Sequence, residues 1–403
     1  MQNKLKIFFK EIAKYFLFYM DIYALSYFFI KYKKYEKEII FLRVDNIGDF
    51  ILWLWEAQKI KENYKECKIT LICNKIYFEL AKEIKYFDKV IPIDAKKYHL
   101  NFKYKYKFLK KMNENLYLKI INPMNSRCLL SESLIKNINA LEKIGNYGDT
   151  TSLTTKMLEK SSKNYTKIFK ENLNIKEELL KNLAFNNWLF NKKDNLRKPS
   201  FKIKKEFLKQ EILDISSQEY YIFSLGASLA GKCWEIEKFV KLYLEVFKNK
   251  KRKLILVGSK NEIILGNQFL NLIKDKQNIM NLIGKTNLFE LSYLVKNTQF
   301  LVCNDSLVLH IAALTNTKGI CILGCWQFEK VLPYPKIDGI NFCKIKEITN
   351  KIECFNCNFK CNYKDIPFKC IKLINENDVI EITKTIIEKG NNKNGCISNN
   401  NKL

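Results

Sequence analysis

The chain has 403 residues, enough for two or three domains with sizeable cores, and its 47% hydrophobic content excludes a disordered or fibrous class. Net charge is +28, from 70 basic against 42 acidic residues, which points to a polyanionic neighbour: nucleic acid, an anionic membrane surface or a phosphorylated substrate. The lysines are spread among Asn, Ile and Tyr rather than gathered in one block, a pattern that AT-biased coding also produces. Thirteen cysteines, an odd number with Cys73, Cys303 and Cys321 inside apolar runs, exclude a secreted disulfide framework and indicate a reducing cytoplasm.

Residues 1–37 read as an N-terminal extension. Tyr15 to Ile30 is apolar and aromatic, with lysines on both flanks and Asp21 within it. It is shorter than the roughly 20 residues a spanning helix needs, and no cleavage site follows it. It suits either an interfacial helix on an anionic leaflet or an extra helix packed on the first domain.

A first alternation of strand and helix follows. Ile39–Val44, Ile69–Cys73, Val90–Ile93 and Leu116–Ile121 read as strands, with helices over Ile47–Lys61 and Ile76–Ile84. From Asn125 to Gln218 the pattern is lysine-rich and helical, with a loop at Gly145–Gly148, and Lys198-Pro199-Ser200 reads as a linker. A second alternation takes in Tyr220–Gly226, Lys253–Gly258, Phe300–Cys303 and Gly319–Gly324. Two such series predict an α/β protein of two doubly wound parallel-sheet domains, with ligand at the strand carboxyl ends and the cleft between domains as the expected site. The tail from Gly390 to Leu403 is rich in Asn and Lys and is expected to be disordered.

The strand ends carry the chemistry. The first strand runs into Arg43-Val44-Asp45-Asn46-Ile47-Gly48-Asp49. The first strand of the second half runs into Gly226-Ala227-Ser228-Leu229-Ala230-Gly231-Lys232, a small-residue loop ending in a lysine, as phosphate contact requires, though without Walker spacing. The next ends in Gly258-Ser259-Lys260-Asn261-Glu262, a carboxylate placed for a ribose hydroxyl. The last, Asn304-Asp305-Ser306, opens a helix, whose free N–H groups and dipole attract phosphate; Asp and Ser are also ordinary N-caps. These ends suit a nucleoside diphosphate better than nucleic acid.

Five motifs in order, R-x-D-x-I-G-D, G-A-S with K-x-W, G-x-x-x-E, L-x-G-K-T-x-L-x-E-L (Leu282–Leu291) and N-D-S-x-x-x-H-x-A-A, resemble the heptosyltransferase family, glycosyltransferase family 9. The resemblance runs from Ile39 to Val379. It implies the GT-B architecture, two Rossmann-like domains facing across a cleft, here an acceptor domain at 38–205 and a donor domain at 206–389. It also implies metal-independent, inverting transfer of heptose from ADP-heptose to a phosphorylated lipopolysaccharide core or related lipid-linked acceptor, by an enzyme peripheral to the inner leaflet of the inner membrane. Asp49 is then the general base, and Lys232 neutralises the leaving diphosphate. Gly226, Ser228, Asp305 and Ser306 hold donor phosphates or sugar, and Glu262 the ribose. Arg43 and Asp45 either contact acceptor or pair with each other, and His310 is either functional or a core histidine.

One departure touches the donor. Leu307 stands where the family has glycine, and its side chain crowds the phosphate turn, which opens the way to another nucleotide sugar such as a UDP-sugar for O-chain or capsule. A non-enzymatic membrane- or RNA-binding protein with a closed donor site is the competing class, but no RNA-reading aromatic motif is present and no nucleic-acid partner is expected. Cys354, Cys357, Cys361 and Cys370 have the density of a closed structural zinc site, without typical knuckle spacing; reduced packing or a stray disulfide is the alternative. No cofactor beyond the nucleotide-sugar substrate is expected.

Overall fold

The computed structural model describes residues 12–19, 34–170, 175–250, 252–359, 361–363 and 365–395. The chain divides between Pro199 and Ser200 into two compact units. The first holds β1 (Lys34–Arg43), β2 (Lys68–Asn74), β3 (Lys89–Ile93), β4 (Asn115–Asn122), β5 (Ala140–Asn146) and β6 (Lys167–Phe169). All pair in parallel, in the order β3-β2-β1-β4-β5-β6, with Ile40 in register with Thr70 on one side and Ile120 on the other. Ile39, Ile40, Phe41 and Leu42 are all wholly buried, the continuous apolar run of a sheet covered on both faces. Helix Ile47–Asn63 buries Phe50 to Ala57 without a break and forms a central layer rather than an amphipathic surface helix.

The second unit repeats the plan with β7 (Tyr220–Ser224), β8 (Lys253–Val257), β9 (Ile279–Asn281), β10 (Phe300–Asn304), β11 (Gly319–Ile322) and β12 (Ile345–Ile348). Its parallel order, β12-β11-β10-β7-β8-β9, is the same connectivity: the first strand lies between the second and the fourth. In each unit the chain reverses direction across the sheet between those two strands, β1 and β4, then β7 and β10. In open α/β sheets ligands bind beyond the carboxyl ends of the strands at such a switch point. The core below is aromatic, with Phe223, Trp234, Phe239, Phe247 and Phe269 buried together.

Two sequence expectations change. The segment read as helical from Asn125 to Gln218 contains β5 and β6 among its helices. β5 buries only its last three residues, so its polar first half hides the strand. Helix Glu376–Gly395 takes in the first residues of the tail expected to be disordered, and residues 396–403 lie outside the described residues. Most of the apolar segment Tyr15 to Ile30 lies outside the described residues. Residues 12–19 are helical, and Phe18 is buried against Leu153, Met157 and Leu158 of the first unit, while Ile12 and Phe16 are exposed. Among the described residues no helix is long and apolar enough to cross a membrane.

Candidate active site

In the second unit one side chain ties the two switch-point strands together. Asn304, at the end of β10, donates from Nδ2 to Leu225 O (2.8 Å) and accepts the Trp234 N–H at Oδ1 (3.1 Å). This clamp holds the loop after β7 against the end of β10 and brings Lys232 Nζ to 2.8 Å from Asp305 Oδ2. The side chains are 13% and 9% exposed, so the pair forms where water screens little.

Ser306 occupies the N-cap position of helix Leu307–Thr315, yet its side chain makes no capping bond, and its buried Oγ has no partner. An ordinary cap would use that oxygen. A hydroxyl left open beside the free N–H groups of a helix start is an arrangement that receives an oxyanion. Leu307 is half-buried at the first helical position, and Ser228 is exposed on the β7 loop.

Glu262 is shared between two tasks. Its Oε2 accepts the Ser259 N–H (2.5 Å) in a capping box, and its carboxyl group lies against Gly226 and Gly258. Burial raises its pKa. His310 is buried, with Nδ1 at 2.9 Å from Tyr334 Oη. Burial, helped by the Lys232 charge and opposed by Asp305, lowers its pKa to about 4, so it is neutral at pH 7 and has the setting of a satisfied core histidine. The motif around Gly284 has a structural explanation: Asn287 and Glu290 form a reciprocal capping box on helix Leu288–Asn297.

In the first unit, Arg43 at the end of β1 is 1% exposed and contacts Asp45, Nη2 to Oδ2, at 2.7 Å. Its guanidinium also lies over the Trp53 ring. These two residues are thus paired with each other in the folded chain. Burial raises the Asp45 pKa to about 7; Arg43 opposes the shift, while Asp49 and Glu178 add to it by repulsion. Asp49 lies in the first turn of helix Ile47–Asn63, half-buried and within electrostatic reach of Asp45.

Sequence reasoning missed the turn after β4, the other side of that switch point. Arg127 is wholly buried there, bonded to Glu132 Oε2 (2.7 Å), Tyr147 O (3.0 Å) and Ser162 Oγ (3.1 Å), with its guanidinium over the Tyr165 ring. Asn146 Nδ2 donates to Asn125 Oδ1 (2.6 Å), and Asn125 Nδ2 to Glu178 Oε1 (2.7 Å). This network fixes the carboxylate that acts on Asp45. Its one sequence signal was the turn Asn122-Pro123-Met124-Asn125-Ser126-Arg127 after a strand.

The four cysteines do not assemble as one quartet. Cys354 lies against Cys357 and Cys361, whereas Cys370 is buried beside Cys325. Among the described residues no group of three or more His, Cys, Asp or Glu side chains could hold a metal ion, which leaves the zinc expectation without support.

The sequence profile described as glycosyltransferase family 9 (heptosyltransferase) matches residues 106–357, more than half of the chain. That range contains Lys232, Glu262, Asp305 and Ser306; Arg43, Asp45 and Asp49 precede it. A curated protein, lipooligosaccharide heptosyltransferase 2 of Campylobacter jejuni subsp. jejuni serotype O:2, is 26% identical over 166 residues, 40% of this chain and 49% of its own length. The match thus spans about half of that relative. The solved structure of E. coli ADP-heptose lps heptosyltransferase II is similar at a TM-score of 0.65 and 14% identity, over 88% of this chain and 99% of that one. A glycosyl transferase family 9 structure from Veillonella parvula reaches 0.68 at 15% identity, over 89% and 98%. These two likenesses carry the fold, which is the expected GT-B type of two Rossmann-like sheets.

Proposed function

This chain belongs to glycosyltransferase family 9 (heptosyltransferase), and on that footing we propose that it moves heptose from ADP-heptose to a phosphorylated lipopolysaccharide core or related lipid-linked acceptor. One observation carries the donor half: the Lys232–Asp305 pair stands beside an unpartnered Ser306 hydroxyl at a helix start, at the strand switch point. A nucleoside diphosphate supplies the oxyanions that such a site lacks.

The reaction is a single displacement with inversion. The acceptor oxygen bonds to the anomeric carbon, the bond from that carbon to the diphosphate breaks, and its electron pair leaves on the β-phosphate. Lys232 neutralises that charge, the task a metal performs elsewhere, so no metal is required. Asp49 takes the acceptor proton. Asp45 is paired with Arg43 and raised in pKa by burial, which suits a carboxyl that braces the buried guanidinium. The acceptor lies at an anionic leaflet; the net charge of +28 and the exposed Ile12 and Phe16 support peripheral attachment there.

Thermal stabilisation by ADP, UDP and GDP, with Lys232→Ala as control, tests the reading. Stabilisation by ADP that is lost in the variant supports it. A response to UDP or GDP replaces the sugar nucleotide, as the Leu307 departure allows. No response to any nucleotide removes the transferase reading.

A further inference from the structure

Lys232 has two neighbours that the donor reading does not use. Its ammonium lies 5.2 Å from the ring centroid of Trp326 and 5.2 Å from that of Phe359, and the rings stack with centroids 5.5 Å apart and planes 24° off parallel. Trp326 is 3% exposed and belongs to the core, whereas Phe359 is 38% exposed and closes the stack from outside.

Phe359 is held there against its own preference. Its φ is +62°, a left-handed conformation unusual for a bulky side chain. Such a conformation persists when the surroundings over-determine it, and it concentrates at functional sites. Here two hydrogen bonds pin the preceding turn: Asn356 N–H to Cys325 O (2.7 Å) and Asn358 N–H to Trp326 O (2.8 Å). Asn356 and Asn358 also have positive φ, which asparagine tolerates. The turn is thus tied to the backbone of Cys325 and Trp326, and the ring it presents rests on Trp326 and faces the lysine.

We infer that Trp326 and Phe359 form an aromatic bracket that positions Lys232 for the leaving diphosphate, an inference that rests on the donor reading above. A lysine stem is long and flexible, and one carboxylate contact leaves the ammonium free to swing. Two ring faces attract the cation while accepting none of its directed N–H bonds. They restrict where the ammonium sits and leave its hydrogens for Asp305 before donor arrives and for phosphate afterwards. Trp326 and Phe359 are positioning residues; the lysine makes the contact.

The test compares ADP with AMP. Lys232 acts on the diphosphate, so its contribution appears in the ratio of the two affinities, whereas general damage to the fold weakens both alike. Calorimetry on the full chain would compare wild type with Lys232→Ala, Phe359→Ala, Phe359→Leu and Phe359→Tyr. The ADP preference is expected to fall about tenfold or more in Lys232→Ala and about three- to tenfold in Phe359→Ala and Phe359→Leu, and to recover in Phe359→Tyr, which restores an aromatic face. Leucine keeps the bulk, so recovery by leucine would overturn the bracket, as would equal weakening of ADP and AMP in all the Phe359 variants. A wild-type ratio in Phe359→Ala alongside a collapsed ratio in Lys232→Ala would overturn the bracket alone. An unchanged ratio in Lys232→Ala would overturn the donor reading beneath it.

Discussion

The Glu262 carboxyl group fills the space that a side chain on Gly226 would need: a Cβ built on Gly226 lies 2.3 Å from both Cδ and Oε1 of Glu262. Glu262 cannot swing away freely, because Oε2 also caps the Ser259 N–H. Gly226→Ala should therefore destabilise the second unit by about 1–3 kcal/mol in urea titration, the usual range for overpacking. The same change should be milder in a Glu262→Ala background, since the clash is then absent. Equal penalties in both backgrounds would assign the glycine to another cause.

Ser306 offers a cleaner separation of fold from function. Its Oγ makes no hydrogen bond, so Ser306→Ala removes no interaction from the folded chain and relieves a buried unpaired group. Stability should stay within about 0.5 kcal/mol of wild type, or rise slightly. ADP affinity should fall about three- to tenfold, as expected for the loss of one hydrogen bond to a charged group. A variant that melts earlier and binds ADP normally would return Ser306 to a purely structural role.

Asp49 and Asp45 should respond in opposite ways to amide substitution. Asp49→Asn removes the base and should lower turnover with ADP-heptose by about a hundredfold or more, with ADP binding nearly unchanged. Asp45→Asn weakens the contact that holds the buried Arg43 and should act first on stability, by about 1 kcal/mol. Steady-state kinetics and denaturant titration on both variants distinguish these outcomes. Full turnover in Asp49→Asn would move the proton acceptor elsewhere.

What the sequence made legible follows from burial. Strands such as β1 and β10, covered on both faces, appear as unbroken apolar runs and were read directly. β6 and β9 have only three residues each, none fully buried, too little for a period of two to register. The strand-end turns of the donor side drew notice because small residues, a lysine and a carboxylate recur at successive strand ends, although Asp305 and Ser306 singly read as ordinary caps. Arg127 was not. Its partners Glu132, Tyr147, Ser162 and Tyr165 come from separate elements, and before folding an Asn-Ser-Arg turn resembles any polar loop. Cysteine density could not choose between zinc and packing, because spacing says nothing of which thiols meet: Cys370 lies beside Cys325.

Two buried groups should give opposite pH slopes. Burial raises the Glu56 pKa to about 7 against the Lys59 ammonium at 3.0 Å, so the folded chain holds a proton that the unfolded chain has released above about pH 4.5. Its contribution is fully present below that value and is lost as pH rises to 7. His310 is the reverse: its pKa is lowered to about 4, so the unfolded chain takes up protons first, and stability is lost as pH falls from 6.5 towards 4. Urea titrations from pH 5 to 8 should show the stability of wild type relative to Glu56→Gln falling as pH rises, and that relative to His310→Gln rising. A flat difference in either series would remove the corresponding buried titration.

Leu307 decides how far the donor reading extends. It is the first residue of the helix whose N-terminus would receive the diphosphate, and it is half-buried there. A leucine side chain narrows the approach of phosphate to the backbone N–H groups, where glycine would leave them open. If the crowding is real, Leu307→Gly should tighten ADP binding about threefold or more and cost stability of up to about 1 kcal/mol, the helix penalty of glycine at its upper limit. Calorimetry with ADP, UDP and GDP on both proteins reads the two effects together. An equal gain for all three nucleotides would mean that Leu307 limits access to the phosphates alone. A gain confined to ADP would mean that it also acts on the choice of nucleotide. No gain at all would show that the leucine points away from the phosphate path, and the departure from glycine would then be a tolerated variation.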